Sequence, residues 1–445
     1  MAREQSYFSA SGRGFQSEPT DLLSCHVRTS KRAECLWLCK MSLDLRTGRP
    51  VWLLNRKRIA GHRKLSKNIR CEVAVVGGGV SGALIAHRLV NSGRQVIIVD
   101  SRDVGMGSTM ASTAILSYEP DVHLIDLISQ IGKRSAVRAY GVGLEALESL
   151  EQTIKTLDDS CDFRTRESLY LASNRKDARI VRRECETRQK HDFKVELLTR
   201  RELARSYSLR APCAILTRQS AEVNPLKLTL ALIRNAQKRG LKVFSHTSVE
   251  SYRRHGKESV LTTSDDFHIR ARHVVFATGY ETQQFLKQKR VHLASSYAIA
   301  SSAGTNFPKG REWPVIWESA RPYLYVRSTV DGRIVAGGED VDFVNEAKRD
   351  ELLASKTKTL GKKIRKMFPH VSWKLASAWT GTFAESKDGL PYIGPHKDFP
   401  GAQFALGYGG NGITFATIAS AIIPDLISGT ANSDSRLFRF DRKSG

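Results

Sequence analysis

The glycines Gly77, Gly79 and Gly82 have the spacing G-x-G-x-x-G, and the acid Asp100 follows them. In this spacing the first glycine makes a tight turn, the second lets backbone approach a pyrophosphate, and the third lets a helix pack closely against a strand. An acid about 20 residues further on is placed to accept hydrogen bonds from a ribose. These four residues predict a dinucleotide-binding turn, and they do not say which dinucleotide binds.

A loop of small and hydroxyl-bearing side chains, SRDVGMGSTMASTAIL, follows Asp100 directly. Such side chains, with exposed N–H groups between them, can line a phosphate or a flavin ring. The alternative is an ordinary surface loop, but the position beside the ribose acid favours a functional one. Near the C-terminus a second glycine run, GYGGNG, is predicted to open the last helix.

The elements around the first motif occur in the order that this motif needs. Residues 73–76 are apolar and β-branched, as in a strand buried on both faces, and residues 80–91 predict a helix that ends before Gly93. A second buried strand is predicted at 95–99, immediately before Asp100. Because strand, turn, helix, strand and acid are in register, a βαβ dinucleotide site is favoured over an unrelated glycine turn.

Further along the chain, strand-rich sequence lies between segments typical of a parallel sheet. Helices are predicted at 122–157, 175–190 (charged and solvent-facing), 226–239, 341–367 and 413–427, and strands at 168–172, 242–244, 249–253, 273–277, 373–384 and 404–406, with strand-like sequence from 291 to 338. We therefore expect an α/β fold, α+β overall, in which a discontinuous dinucleotide domain with a parallel sheet carries an inserted antiparallel-sheet domain.

The charge balance is unusual for a chain of otherwise ordinary composition. Of the 445 residues 41% are hydrophobic and 26% are charged, but the formal net charge is +25. We expect a basic surface that attracts anionic substrates or the phosphates of a cofactor. Binding to nucleic acid or to an anionic membrane is the alternative; it is less favoured because the charge is spread along the chain without a recognised nucleic-acid module.

The cysteine and hydropathy patterns indicate the cellular compartment of the protein. The seven cysteines form no C-x-x-C pair, and neither they nor the scattered histidines have metal-ligand spacing, which predicts a reducing, cytoplasmic setting and no metal site. No membrane span is predicted, since the apolar stretch 413–427 is interrupted by Pro424 and Asp425.

Four features in one order resemble the FAD-dependent D-amino acid oxidase/glycine oxidase (DAO) superfamily. They are the unit at 77–100, the helix EVNPLKL…NAQKRG, the strand end FATG, and the segment DGLPYIG…GYGGNGIT. The resemblance covers residues 70–429. Within the superfamily the chain is most similar to bacterial FAD-dependent oxidoreductases that begin near SLDLRTGRP, so we expect Met41 to be the natural start, with a transit peptide as the competing explanation for residues 1–40.

The resemblance implies a Rossmann-like FAD-binding domain and non-covalent FAD rather than NAD. A covalent flavin–cysteine bond is not expected because the last cysteine is Cys213. The dipole of the last helix would stabilise the negative charge of reduced flavin. The residues then expected to contact FAD are Gly77, Gly79, Val80, Ser81, Gly82, Asp100, Ser101, Arg102, Ser108, Thr109, Ser112, Thr113, Val249, Ala277, Thr278, Gly279, Gly407, Gly409, Gly410, Asn411, Gly412, Ile413 and Thr414.

The implied reaction is oxidation of a C–N bond of an amine or amino acid to an imine, with the flavin reoxidised by oxygen or another acceptor. Family members hold a substrate carboxylate with tyrosine and arginine, and the strand RPYLYVR matches that region. Alternation places Tyr323, Tyr325 and Arg327 on one face, so these are the candidate catalytic residues. The alternative is a pair of core aromatics beside one exposed arginine.

The chain departs from the family pattern at TGTFA, residues 380–384, where the oxidases carry an arginine. Either Arg321 or Arg327 substitutes for it, or the substrate is not a free amino acid. Two other hypotheses stay open: a flavoprotein that binds or modifies nucleic acid, and a non-catalytic FAD-binding protein.

The predicted domain division follows from these assignments. It comprises an N-terminal arm at 1–69, which we expect to be partly disordered and non-native over 1–40; an FAD-binding domain at 70–120, 199–290 and 377–430; a substrate domain at 121–198 and 291–376; and a tail at 431–445.

Overall fold

The computed structural model describes residues 35–37, 44–54, 61–286, 291–305, 312–406 and 408–442. The predictions for Met41 and Gly407 lie outside these residues. The described chain forms two large sheets with helices packed on them, and the predicted mixture of parallel and antiparallel sheets is confirmed.

The strands are β1 (Cys35–Trp37), β2 (Arg46–Gly48), β3 (Ile69–Val76), β4 (Val96–Val99), β5 (Ile115–Leu116), β6 (Arg164–Leu171), β7 (Val195–Thr199), β8 (Cys213–Glu222), β9 (Lys242–Phe244), β10 (Val249–His255), β11 (Glu258–Thr263), β12 (His268–Phe276), β13 (Val291–Ser301), β14 (Val315–Glu318), β15 (Leu324–Ser328), β16 (Ile334–Asp342), β17 (Leu375–Ser386), β18 (Tyr392–Pro395) and β19 (Ala402–Leu406).

The α-helices are α1 (Val80–Asn91), α2 (Ser108–Ala111), α3 (Leu124–Ile131), α4 (Lys133–Lys155), α5 (Asp177–Lys190), α6 (Arg200–Tyr207), α7 (Pro225–Gln237), α8 (Glu346–Glu351), α9 (Leu353–Met367), α10 (Gly412–Ser428) and α11 (Ser435–Phe438). Short 3₁₀ turns occur at Val51–Leu53, Gly279–Gln284 and Gly409–Asn411.

The first sheet has the order β1-β10-β11-β12-β3-β4-β9, and β19 pairs with both β12 and β18. Its central strands β12, β3, β4, β9 and β19 run parallel. Residues of β3 alternate between two cores: Val73 and Val75 belong to one, and Ala74 and Val76 belong to the other. Because both faces are covered, the strand is an unbroken apolar run, as the sequence predicts.

The second sheet has the order β2-β17-β13-β16-β15-β14-β6-β8-β5, with β7 beside β8. Its pairings are antiparallel except between β14 and β6. Helix α9 packs on β13 and β16, and α5 packs on β7 and β8.

The predicted segment boundaries do not follow these sheets. Strand β8 lies within the predicted FAD segment 199–290, and β17 lies almost wholly within 377–430, yet both pair in the second sheet. The reason is that β8 is buried along most of its length on both faces, so its sequence resembles a parallel-sheet strand.

Two of the predicted helices differ in detail. The stretch 122–157 is two helices, α3 and α4, separated at Gly132, whose φ of 82° ends the first helix. The stretch 341–367 begins with the last two residues of β16 before α8 and α9 follow. In both cases a short turn separates two elements that the sequence pattern predicts as one helix.

The last helix shows why composition alone misleads about membranes. Residues Gly409–Ser428, which include α10, are long and apolar enough to cross a bilayer, contrary to the sequence expectation. In the fold α10 packs against α1 and α4, and most of it is buried. Pro424 lies inside the helix without ending it. The apolar character therefore suits a core helix.

Candidate functional site

A cavity of about 350 Å³ lies between the two sheets. The first sheet lines it with the turns after β3, β4 and β12, and the second sheet lines it with parts of β13, β15, β16 and β17. The start of α10 and the loop after β4 complete the wall. Most residues predicted to contact FAD meet here although they come from five separate segments.

The glycine turn at the end of β3 has the conformation that the motif predicts. Gly77 has a φ of 108°, and a Cβ atom on it would lie 2.4 Å from the carbonyl oxygen of Ala277. A Cβ on Gly82 would lie 1.9 Å from the carbonyl oxygen of Gly77, so only glycine lets α1 start here. Gly77, Gly79, Val80 and Ser81 line the cavity, whereas Gly82 is a packing residue.

Asp100 at the end of β4 is held in place by backbone. Its Oδ2 accepts from the N–H of Gly78 at 2.6 Å, and its Oδ1 accepts from the N–H of Arg102 at 2.7 Å. Burial raises the pKa of Asp100 to about 6. Arg102 forms an ion pair with Glu281 at 2.8 Å, and both line the cavity beside Asp100. The acid is thus oriented for a ribose before any ligand arrives.

The other residues predicted to hold the adenosine and phosphates also line the cavity: Ser101, Ser108, Thr109, Ser112, Thr113, Val249, Ala277, Thr278 and Gly279. Thr109 Oγ1 accepts from the N–H of Val80 at 2.9 Å, which ties the loop to the start of α1. The buried hydroxyl of Ser108 has no hydrogen-bond partner in the protein. An unpartnered polar atom on a glycine-lined cavity fits a phosphate-bearing cofactor such as FAD.

Residues 117–121 form a segment that we call the strap, and it runs along the start of α10. Thr414 Oγ1 donates to the carbonyl oxygen of Ser117 at 2.9 Å, and Asn411 Nδ2 donates to the carbonyl oxygen of Glu119. The N–H of Gly410 donates to Asp121 Oδ2 at 2.7 Å. Every second residue of the strap is therefore bound to α10 or its first turn.

At this end of the cavity most of the predicted residues are present. Gly409, Gly410, Asn411, Gly412 and Ile413 line it. Thr414 does not, and its prediction as a cofactor contact is corrected: its hydroxyl points to the strap.

Two tyrosines form part of the second-sheet wall. Tyr323 and Tyr325 both line the cavity. Tyr325 Oη lies 3.2 Å from Ser296 Oγ, and its ring occupies the space that a Cβ on Gly337 would need. The exposed guanidinium of Arg321 lies 3.5 Å from the centroid of the Tyr323 ring. The predicted tyrosine face is therefore present.

Arg327 does not share that face, and the prediction that it contacts substrate is wrong. Only 2% of the residue is exposed. Its Nη1 donates to the carbonyl oxygens of Thr113, Ala114 and Val223 at 3.0, 2.8 and 2.9 Å, and its Nε lies 3.2 Å from Glu222. The loop after α2 and the end of β8 cover this end of the strand. Of the described residues that line the cavity, the only arginine is Arg102.

Three acids that sequence reasoning missed face the same cavity as the tyrosines: Asp121, Asp340 and Glu385. Burial raises the pKa of all three, that of Asp340 to about 6. The charge of Asp121 raises the pKa of Asp340 further, and both raise that of Glu385, while Arg321 lowers all three. They lie on the strap, β16 and β17, so no local spacing could have grouped them.

The two-sheet fold and its glycine-lined cavity define a dinucleotide-dependent enzyme. Residues 72–426 match the family model DAO, FAD dependent oxidoreductase. The chain belongs to this family, whose cofactor is FAD, and is an FAD-dependent oxidoreductase. Among the described residues no group of three potential metal ligands is present.

Several relatives span most of the chain. Gamma-glutamylputrescine oxidoreductase of Escherichia coli (strain K12) is 25% identical over 381 residues, covering 82% of this chain and 86% of the relative. Glycine oxidase of Bacillus subtilis (strain 168) is 25% identical over 386 residues, covering 84% and 97%. The crystal structure of glycine oxidase from Geobacillus kaustophilus superimposes with a TM-score of 0.71 at 21% identity, covering 84% of this chain and 100% of that one, which shows the shared fold.

Proposed function

We propose that this oxidoreductase uses FAD to oxidise the C–N bond of an amine that it recognises through positive charge. The observation that supports this is the substrate wall, where Asp121, Asp340 and Glu385 accompany the two tyrosines. Relatives named for an amine and for an amino acid are both found at the same identity, so they do not choose between these classes. The charge of the wall favours an amine.

The carboxyls favour a cationic ligand for a physical reason. Burial raises the pKa of all three, and nearby carboxylates raise the pKa of Asp340 and Glu385 further. A cation between the three carboxylates would offset the free energy needed to bury their charges and to place them close together. A substrate carboxylate would add to that free energy. Asp340 Oδ1 is buried without a hydrogen-bond partner in the protein, so it is free to accept one from an ammonium group.

The missing family arginine supports the same conclusion. At the stretch 380–384 the chain has Gly381, Thr382 and Phe383 on the cavity, followed by Glu385, so a negative side chain stands near the place where the oxidases carry a positive one. Arg327, the first candidate to replace that arginine, is fully engaged elsewhere. Arg321 remains the alternative clamp, since its guanidinium lies on the ring of Tyr323 and its charge lowers the pKa of all three acids.

The mechanism assigns the protein mainly the tasks of binding and orientation. FAD held in this cavity would supply the hydride acceptor for the carbon next to a neutral amine nitrogen, and water would hydrolyse the imine product. The glycine turn and Asp100 hold the adenosine and pyrophosphate end. Tyr323 and Tyr325 would exclude water from the reacting carbon, and the carboxylate of Asp340 would hold an ammonium group of the substrate other than the neutral nitrogen that is oxidised.

We also propose the domain division in a corrected form. The first sheet with α1, α7 and α10 holds FAD, and the second sheet supplies the substrate wall, with β8 and β17 included in it. A cytoplasmic setting stays a prediction; it is supported by Cys71, Cys161, Cys185 and Cys213, which are buried free thiols.

Anaerobic reduction of the bound flavin tests the proposal. Purified holoprotein is mixed with diamines, polyamines and N-alkyl amines in one series, and with glycine, sarcosine and D-alanine in the other. We expect loss of the long-wavelength flavin absorbance with the first series at much lower concentration. Faster reduction by the amino acids would reject cation recognition, and loss of that activity in Arg321→Gln would identify Arg321 as the clamp. Absence of reduction by any compound would support a non-catalytic FAD-binding protein.

A further inference from the structure

Arg188, a buried arginine outside the cavity, is connected to the cavity wall. It lies in the last turn of α5, a helix whose charged sequence predicts a solvent-facing position, yet only 1% of Arg188 is exposed. Its Nε donates to Glu184 Oε1 at 2.7 Å, and its Nη1 donates to Glu119 Oε1 at 2.9 Å. Its guanidinium lies 5.4 Å from the centroid of the Tyr140 ring. The sequence expectation for α5 is therefore wrong on this face.

Glu119 is the member of this cluster that reaches the cavity. It is 3% exposed and lines the cavity from the middle of the strap. Its Oε2 accepts from the hydroxyl of Ser117, and its carbonyl oxygen accepts from Asn411 Nδ2. Through Glu119, Arg188 thus holds the same strap that is bound to the start of α10.

Glu184 holds the other end of this segment. Its two carboxylate oxygens accept from the N–H groups of Leu124 at 2.8 Å and Ile125 at 3.1 Å, at the first turn of α3. Carboxylates are stabilised at helix N-termini by these free N–H groups. Because both glutamates bind Arg188, a single guanidinium fixes the chain before and after Asp121.

The positions of Glu119 and Glu184 depend on the charge of Arg188. Two carboxylates that are 3% and 0% exposed lie against Arg188, and the ring of Tyr140 lies beside its guanidinium. Without the guanidinium the two glutamates repel each other. Glu184 keeps its helix N–H groups, so Glu119 is the one that moves, and the strap moves with it.

We propose that Arg188 is a positioning residue for the proposed reaction. It holds Glu119, and through the strap it holds Asp121, in place at the substrate wall beside the glycine run of the cofactor site. The substrate part of this inference rests on the proposed function, whereas its effect on the bound flavin does not.

The test uses full-length holoprotein with the variants Arg188→Gln and Arg188→Lys. The matched control is Arg333→Gln, because Arg333 is also buried (7% exposed) and paired with Asp331 at 2.8 Å but is not among the residues that line the cavity. Four quantities are measured: the Tm, the Kd for FAD, the visible circular dichroism of the bound flavin, and KM and kcat for an amine that reduces the wild-type flavin.

We expect both glutamine variants to lower the Tm, but only Arg188→Gln to change the flavin dichroism and to raise KM, about tenfold or more, with a smaller change in kcat. Arg188→Lys should recover part of the wild-type spectrum because it keeps the charge. If Arg188→Gln lowers the Tm like the control and leaves dichroism, FAD affinity and KM unchanged, Arg188 is only structural and the proposal is overturned.

A second variant and a readout that does not need turnover complete the test. If Arg188→Gln does not fold, Glu119→Gln removes the same ion pair at nearly constant volume and should give the same spectral change; an unchanged spectrum there also overturns the proposal. If no amine reduces the wild-type flavin, the proposed function fails, and the dichroism and FAD affinity still decide the role of Arg188.

Discussion

Asp121 Oδ2 accepts a hydrogen bond from the N–H of Gly410 at 2.7 Å, where the glycine run leads into α10. A Cβ on Gly410 would lie 2.9 Å from that carboxylate, so the glycine allows the approach. The resemblance implies that this helix end stabilises the charge of reduced flavin. In this chain the same end also binds an acid of the proposed substrate wall.

Asp340→Asn should weaken binding of a cationic amine. The substitution removes the negative charge and keeps the shape, so we expect KM for the amine to rise about tenfold, equivalent to ~1.5 kcal/mol for a hydrogen bond to a charged group. FAD affinity should change little. Steady-state kinetics with FAD in excess measure this, and an unchanged KM would mean that Asp340 does not contact the substrate.

The matched control for this variant is Asp342→Asn. Asp342 lies two residues along the same chain, its side chain is 85% exposed, and its partner is the exposed His292. Asp342→Asn removes the same charge at a position outside the cavity, so the KM of this variant should equal that of the wild type.

The pH dependence of KM should follow the titration of Asp340. Burial raises its pKa to about 6, so the side chain is neutral below that pH and charged above it. Since only the charged form attracts an ammonium group, KM should rise as the pH falls through about 6 and level off about tenfold higher, near the value expected for Asp340→Asn. An amine that stays protonated over the whole range should be used. In Asp340→Asn this rise should be much reduced, and an identical profile would assign it to another group.

Gly82→Ala should abolish FAD binding by displacing α1. The new Cβ would lie 1.9 Å from the carbonyl oxygen of Gly77, a backbone atom of the turn itself. Equilibrium dialysis with FAD and the Tm of the apoprotein are the measurements. Gly93→Ala is the control in the same βαβ unit: nothing lies near its Cβ, and its φ of 81° costs only local strain. Normal FAD affinity in Gly82→Ala would contradict the assigned packing role.

The sequence predicted those parts of the site that depend on local pattern. Gly77, Gly82 and Asp100 lie within one βαβ unit, where strand burial and turn geometry follow from neighbouring residues. Asp340 and Glu385 could not be predicted as partners because β16 and β17 are not paired with each other, and Asp121 comes from a loop. Only the packing of the two sheets brings these carboxyls together.

The error about α5 has a related cause. A helix rich in arginine and glutamate normally faces solvent, and no local feature of α5 indicates that Glu119, 69 residues before Arg188, supplies a buried partner. The error about Arg327 is of the same kind. Alternation along β15 is a local property, but the loop that covers Arg327 comes from 213 residues away in the chain.

Arg327→Met should lower stability without changing substrate recognition. The guanidinium holds three carbonyl oxygens and pairs with Glu222, so its removal leaves buried acceptors unsatisfied, and we expect the free energy of unfolding to fall by about 3–5 kcal/mol. The loop at Thr113 lines the cavity, so FAD affinity should fall as well. With FAD saturating, KM for the amine should stay close to the wild-type value, because Arg327 does not reach the cavity. Urea unfolding, FAD titration and steady-state kinetics separate these effects. A large rise in KM at unchanged stability would restore Arg327 as a substrate-binding residue and remove the main argument against a carboxylate substrate.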